Sequence, residues 1–65
     1  MLVWSAVSQM TPQQFREARR ELGLSQIKLA KALQVTERTV RRYEYGEVEI
    51  PGPVEVLIDL WLSDL

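Results

Sequence analysis

The 65-residue chain contains no cysteine and no histidine. Without cysteine there is no disulfide and no thiolate metal site. Without histidine the usual proton shuttle and the commonest zinc ligand are missing. The nine Asp and Glu are scattered and follow no metal-loop spacing. Enzymatic readings are weak on these grounds, and neither a cofactor nor a metal is expected. No apolar run approaches the ~20 residues of a membrane span. The opening MLVWSAVS has no basic n-region and is short for a secretion signal. A cytoplasmic protein fits best. No internal repeat or low-complexity stretch is present. A chain of this length makes one small domain, which buries only about 60% of its unfolded surface and is marginal without help.

The formal net charge is −1, but its distribution is uneven. All eight Lys and Arg lie between Arg16 and Arg42. Residues 11–46 hold these eight cations and four acids (Glu17, Glu21, Glu37, Glu44), a local charge of +4. Residues 47–65 hold five acids and no cation. A local basic field matters more for nucleic-acid docking than the global charge. The acidic end is then expected to lie away from phosphates. The alternative is that both halves are ordinary surfaces of a mildly acidic protein.

The most informative stretch is residues 24–46, LSQIKLAKALQVTERTVRRYEYG. It reads as two short helices joined by a tight turn, the layout of a helix-turn-helix. Ser25 is a good N-cap, and Leu24 before it can staple onto Leu29. Leu29, Ala30 and Leu33 share one face, with Ala30 small where two crossing helices come closest. Gln34-Val35-Thr36 forms the turn. Thr36 caps the second helix and Val35 is placed to staple onto Val40. Val40 and Tyr43 point inward, and Gly46 follows the last turn as a left-handed stop.

The second helix keeps a polar face of Glu37, Arg38, Thr39, Arg41, Arg42 and Tyr45. Arginines near a helix start are opposed by the macrodipole, so helix stability does not explain them. DNA does, because the first turns of a recognition helix meet base edges and Arg forks onto guanine O6 and N7. Glu37 can accept from cytosine N4 or orient Arg38 or Arg41. The base-reading candidates are therefore Glu37, Arg38, Thr39, Arg41 and Arg42. Ser25, Lys28, Thr36 and Tyr45 are the phosphate candidates. The competing reading is a solvated charged face with a Glu37–Arg41 pair worth a few tenths of a kcal/mol.

Upstream, Thr11-Pro12-Gln13-Gln14 is a strong helix start, with a cap, Pro at the first helical position and Gln in a capping box. Phe15, Ala18 and Leu22 form an apolar stripe, and Gly23 ends the helix. Downstream, Pro51-Gly52-Pro53 breaks the chain and launches a last helix. Val54, Leu57, Ile58, Trp61 and Leu65 form a stripe expected to cover the core. Val56, Leu60 and Leu62 extend the apolar surface beyond it, more than so small a domain buries internally. Val56, Leu60, Trp61 and Leu62 are thus the dimer-interface candidates. Residues 1–9 alternate weakly like a strand and are set apart as an N-terminal arm, either pairing across a dimer or disordered. Residues 10–65 are the domain.

Leu24-Ser25-Gln26, Leu29-Ala30, Val35-Thr36, Val40 and the Tyr43-Glu44-Tyr45-Gly46 ending resemble the Cro/phage-repressor-like, or Xre-type, helix-turn-helix family. The resemblance runs from about Met10 to the end. It implies an all-α fold, a compact four- to five-helix bundle of the lambda-repressor type. It implies that Gln26 contacts a phosphate and braces the recognition helix. It also implies base contacts from Glu37, Arg38 and Arg42, with Arg41 close by, and a fold-supporting pair of Glu44 with Arg19. Two positions depart from the family pattern. Gln34 stands where glycine is usual, and Glu47-Val48-Glu49 replaces a loop that often carries basic residues.

The resulting expectation is a sequence-specific DNA-binding regulator, a repressor acting as a homodimer on double-stranded DNA with a palindromic operator. The alternative is an antitoxin-like interaction module that holds a partner protein and represses its own operon. A third reading is a helix-turn-helix that has lost DNA binding and only dimerises, which the arginine cluster argues against.

Overall fold

Each of the first three helices opens on a hydroxyl and closes on a left-handed residue. The computed structural model describes residues 10–65. The expected arm at 1–9 lies outside the described residues. There are four helices and no strand among those residues: α1 (Pro12–Glu21), α2 (Gln26–Leu33), α3 (Glu37–Tyr45) and α4 (Gly52–Ser63). The fold is the all-α bundle implied by the sequence, with four helices.

At the helix starts, Thr11 Oγ1 accepts from Gln14 N–H at 3.1 Å while Gln14 Oε1 accepts from Thr11 N–H at 2.9 Å, closing a capping box. The Ser25 hydroxyl accepts from Lys28 N–H at 3.1 Å, and that of Thr36 from Thr39 N–H at 3.2 Å. Each cap satisfies a backbone donor that the first turn leaves without a helical partner.

The helix ends repeat one device. Leu24 N–H donates to Arg19 C=O, Val35 N–H to Ala30 C=O, and Glu47 N–H to Arg42 C=O, at 3.2, 2.9 and 3.0 Å. The preceding residues, Gly23, Gln34 and Gly46, have φ of 71°, 61° and 75°. These are Schellman closures, in which the left-handed residue turns the chain so that the next N–H reaches back five residues. Gln34 is the only one of the three with a side chain, and left-handed backbone costs an L-residue roughly 1 kcal/mol. Replacing Gln34 by glycine is therefore expected to stabilise the domain by roughly 1 kcal/mol, a rise of about 4–8 °C in melting temperature. Thermal unfolding followed by circular dichroism measures it; an unchanged or lower midpoint would show that the exposed Gln34 side chain compensates its own strain.

The core is built from Phe15 and Ala18 of α1, Leu29 and Ala30 of α2, Val40 and Tyr43 of α3, Ile50 and Ile58. Phe15 and Tyr43 meet edge to face, with ring centroids 5.5 Å apart and planes at 70°. Burial pushes the Tyr43 phenol above its ordinary value of 10.0. Ile50, in the segment between α3 and α4, is buried with the helical core residues, and Val48 packs against the same core. Helical periodicity does not reveal such positions, because they lie outside any helix.

On α4 the expected core stripe is only partly realised. Ile58 is buried, and Val54 and Trp61 pack against the core. Leu57 is 40% exposed and Leu65 77%. Leu62, expected among the excess surface residues, packs against the core instead. The sequence of α4 is apolar around most of its circumference, so spacing alone does not single out the inner face.

Candidate nucleic-acid interface

The recognition candidates sit on a frame tied together by one buried carboxylate. The Glu44 side chain is 2% exposed. Arg19 forks onto it, Nε to Oε2 at 2.6 Å and Nη2 to Oε1 at 3.3 Å. Gln26 Nε2 donates to Oε1 at 3.1 Å. Arg16 Nη2 donates to the Glu44 carbonyl at 3.0 Å, and its Nε lies 3.7 Å from Oε1. Arg19 Nη1 also donates to Leu24 C=O at 3.1 Å. A buried charge is tolerated only when paired and hydrogen-bonded. Here the pairing joins α1, the α1–α2 connection, α2 and α3 at a single point. No buried side-chain polar atom among the described residues lacks a partner.

This network engages Gln26, which the sequence reading placed on a phosphate. A carboxylate only accepts, so the Gln26 amide must turn its NH2 toward Glu44. Its second N–H and its carbonyl oxygen remain. Arg16 of α1 is also drawn to Glu44. The α2–α3 separation in sequence hides the Gln26–Glu44 contact, because it exists only once the helices cross.

The outer face of α3 separates its arginines by partner. Arg41 Nη1 lies 3.7 Å from Glu37 Oε2, one turn back on the same helix. Arg42 Nε lies 3.5 Å from Glu47 Oε1. Arg38 is exposed, and none of the ion pairs among the described residues involves it. At the start of the helix the Thr36 and Thr39 hydroxyls lie 3.0 Å apart. The Arg42–Glu47 contact is absent from the usual i,i+4 pattern. The signal for it in the sequence is Gly46: a Schellman closure brings the residue after the glycine back beside the helix's last turn.

Of the phosphate candidates, the Ser25 and Thr36 hydroxyls act as caps while remaining at the surface. Lys28 is exposed on α2, and Tyr45 is exposed on the last turn of α3. Among the dimer candidates, Leu60 is 58% exposed, while Val56, Trp61 and Leu62 are half-buried. The exposed apolar residues of α4 are thus Leu57 and Leu60, one turn apart. Among the described residues, no group of acidic side chains is disposed to hold a metal ion, and no helix is long and apolar enough to cross a membrane.

A family model described as helix-turn-helix matches residues 15–54. No curated protein and no solved structure matches the chain.

Proposed function

The chain belongs to the Cro/phage-repressor-like (Xre-type) helix-turn-helix family, a family of DNA-binding regulators, and from that premise we propose that it is a sequence-specific repressor. In this reading it docks as a homodimer on a palindromic operator, with α3 in the major groove. The observation that carries the reading is the outward face of α3. It presents Arg38, Arg41 and Arg42 on a helix whose inner face is locked by Val40, Tyr43 and Glu44. A helix anchored on its inner face with an exposed cationic edge suits base readout, since phosphates position a protein and base edges specify the sequence. Glu37, Arg38, Thr39, Arg41 and Arg42 are assigned to bases. Ser25, Gln26, Lys28, Thr36 and Tyr45 are assigned to the backbone.

Dimerisation is assigned to α4, where Leu57 and Leu60 are exposed beside Val56 and Trp61. A single domain of this size reaches few phosphates, and a second copy doubles the contacts. Selection of bound sequences from random duplex DNA tests the whole reading. The expected product is an inverted repeat whose half-sites are centred about 34 Å apart, one helical turn. A single unrepeated motif would remove the dimer. No enrichment at all would remove the sequence-specific regulator. It would shift weight to an antitoxin-like module that holds a partner protein, a reading favoured by the exposed leucines and the acidic residues of 47–65.

A further inference from the structure

We propose that Glu47 is a built-in competitor of DNA for Arg42. The inference rests on the DNA-binding reading above and goes beyond it by assigning a role to a residue outside the recognition helix. Three observations carry it. Glu47 Oε1 lies 3.5 Å from Arg42 Nε, and the two side chains are 56% and 46% exposed. Glu47 is not on a loose loop: its N–H donates to Arg42 C=O at 3.0 Å, next to Gly46 at φ 75°. The backbone therefore fixes the carboxylate beside the guanidinium it pairs with. Finally, the rest of the connection to α4 contributes no cation, since residues 47–51 are Glu-Val-Glu-Ile-Pro.

The position matters because of lengths. Helix α3 has nine residues, about 14 Å at 1.5 Å per residue, against a major groove about 12 Å wide. With its first turns at base edges, the chain leaving α3 must pass the groove rim, where the phosphates run. A carboxylate held there occupies Arg42 as a phosphate oxygen does, in a similar charge-assisted hydrogen-bonding role. Docking then takes Arg42 from Glu47, whether it turns to the base edge assigned above or to the phosphate beside it, instead of supplying a partner to a free cation. Glu47 also repels the approaching backbone. The pair is half exposed, so it is weak enough to exchange. The expected result is a lower affinity for any duplex and a shallower dependence on salt.

The test is Glu47→Gln, which keeps the shape and removes the charge. Binding to a random-sequence duplex and to the selected operator is measured across a salt series. Glu47→Gln is expected to bind several-fold more tightly at moderate salt. Its plot of log affinity against log salt should steepen by about one, the slope of one phosphate contact, because the neutral amide no longer offsets the charge that Arg42 brings to the DNA. In an Arg42→Ala background the same substitution should steepen the slope by clearly less, because only the direct repulsion of the backbone by Glu47 is then relieved. Unchanged affinity and slope in Glu47→Gln would overturn the proposal, as would a full steepening that persists without Arg42. Failure of the unsubstituted protein to bind any duplex is a separate outcome, and it would overturn the DNA-binding reading itself. Glu47 is exposed, and a circular dichroism melt establishes that each variant is folded before binding is read.

Discussion

Arg38→Ala is expected to flatten base preference at one position of each half-site, losing about 1–3 kcal/mol of discrimination. That is roughly a 5- to 150-fold loss of preference for the correct base pair. Arg38 is the second residue of α3, close to the end that enters the groove first. The helix dipole opposes a cation there, so its presence is not explained by helix stability. Unlike Arg41 and Arg42, it is engaged by no carboxylate among the described residues. On the proposed docking, its guanidinium would reach a base edge without first giving up a partner. Arg41→Ala should lose less, because removing it also frees Glu37. Gln26→Ala should weaken binding evenly across sequences, since a phosphate contact carries no base identity. Affinities for a panel of single-base variants of the selected operator separate these patterns. If Arg38→Ala ranks the panel as the unsubstituted protein does, Arg38 is not a reader.

The second large effect is on folding. Glu44→Ala leaves Arg19 without its fork partner, and the Arg19 side chain is only 15% exposed. It also removes the acceptor of Gln26 and the acidic partner of Arg16. Breaking a buried ion pair from one side typically costs about 3–5 kcal/mol. At 0.05–0.15 kcal/mol per residue, a domain of this size has roughly 3–10 kcal/mol in total. The variant should be largely unfolded or unfold at a much lower urea concentration. Glu44→Gln keeps an acceptor oxygen and should fall between. Replacing Arg19 and Glu44 together by apolar residues should recover much of the loss, because no buried charge is then stranded. Urea denaturation of the three variants decides it. An unchanged midpoint for Glu44→Ala would show that the network contributes nothing.

The helix boundaries were legible because their signals are local. Thr11, Ser25 and Thr36 each cap the helix that follows, and each donor they satisfy lies three residues away. Gln34 was legible as a departure because the family resemblance puts glycine at that turn position, and its backbone is indeed left-handed at φ 61°. The inner face of α4 was not legible. Leu57 and Leu62 are chemically alike, and only the packing against α1 and the rest of the core decides that Leu62 turns inward and Leu57 outward. The buried Ile50 was missed for a related reason: no periodic pattern surrounds it. Within the candidate interface, the residue types of α3 and the pairs Glu37–Arg41 and Arg19–Glu44 were readable, but two further partners were not. Arg42 finds Glu47 through the closure of the helix end, and Gln26 finds Glu44 through the crossing of α2 and α3. Both depend on three-dimensional placement that composition and spacing do not encode.

The bracket around α3 also limits how this domain can diversify. Its start is fixed by Thr36 and its end by Gly46, and the turn before it has its N–H groups bonded back into α2. One residue inserted within the helix would rotate everything after it by about 100°. Val40 and Tyr43 would leave the core in the same step that swung the arginines off the outer face. Changes of length are thus closed to evolution here. On the proposed docking, new targets would be reached by exchanging side chains at positions 37, 38, 39, 41 and 42 on an unaltered backbone, and relatives with different operators are expected to share one spacing and differ mainly in those letters.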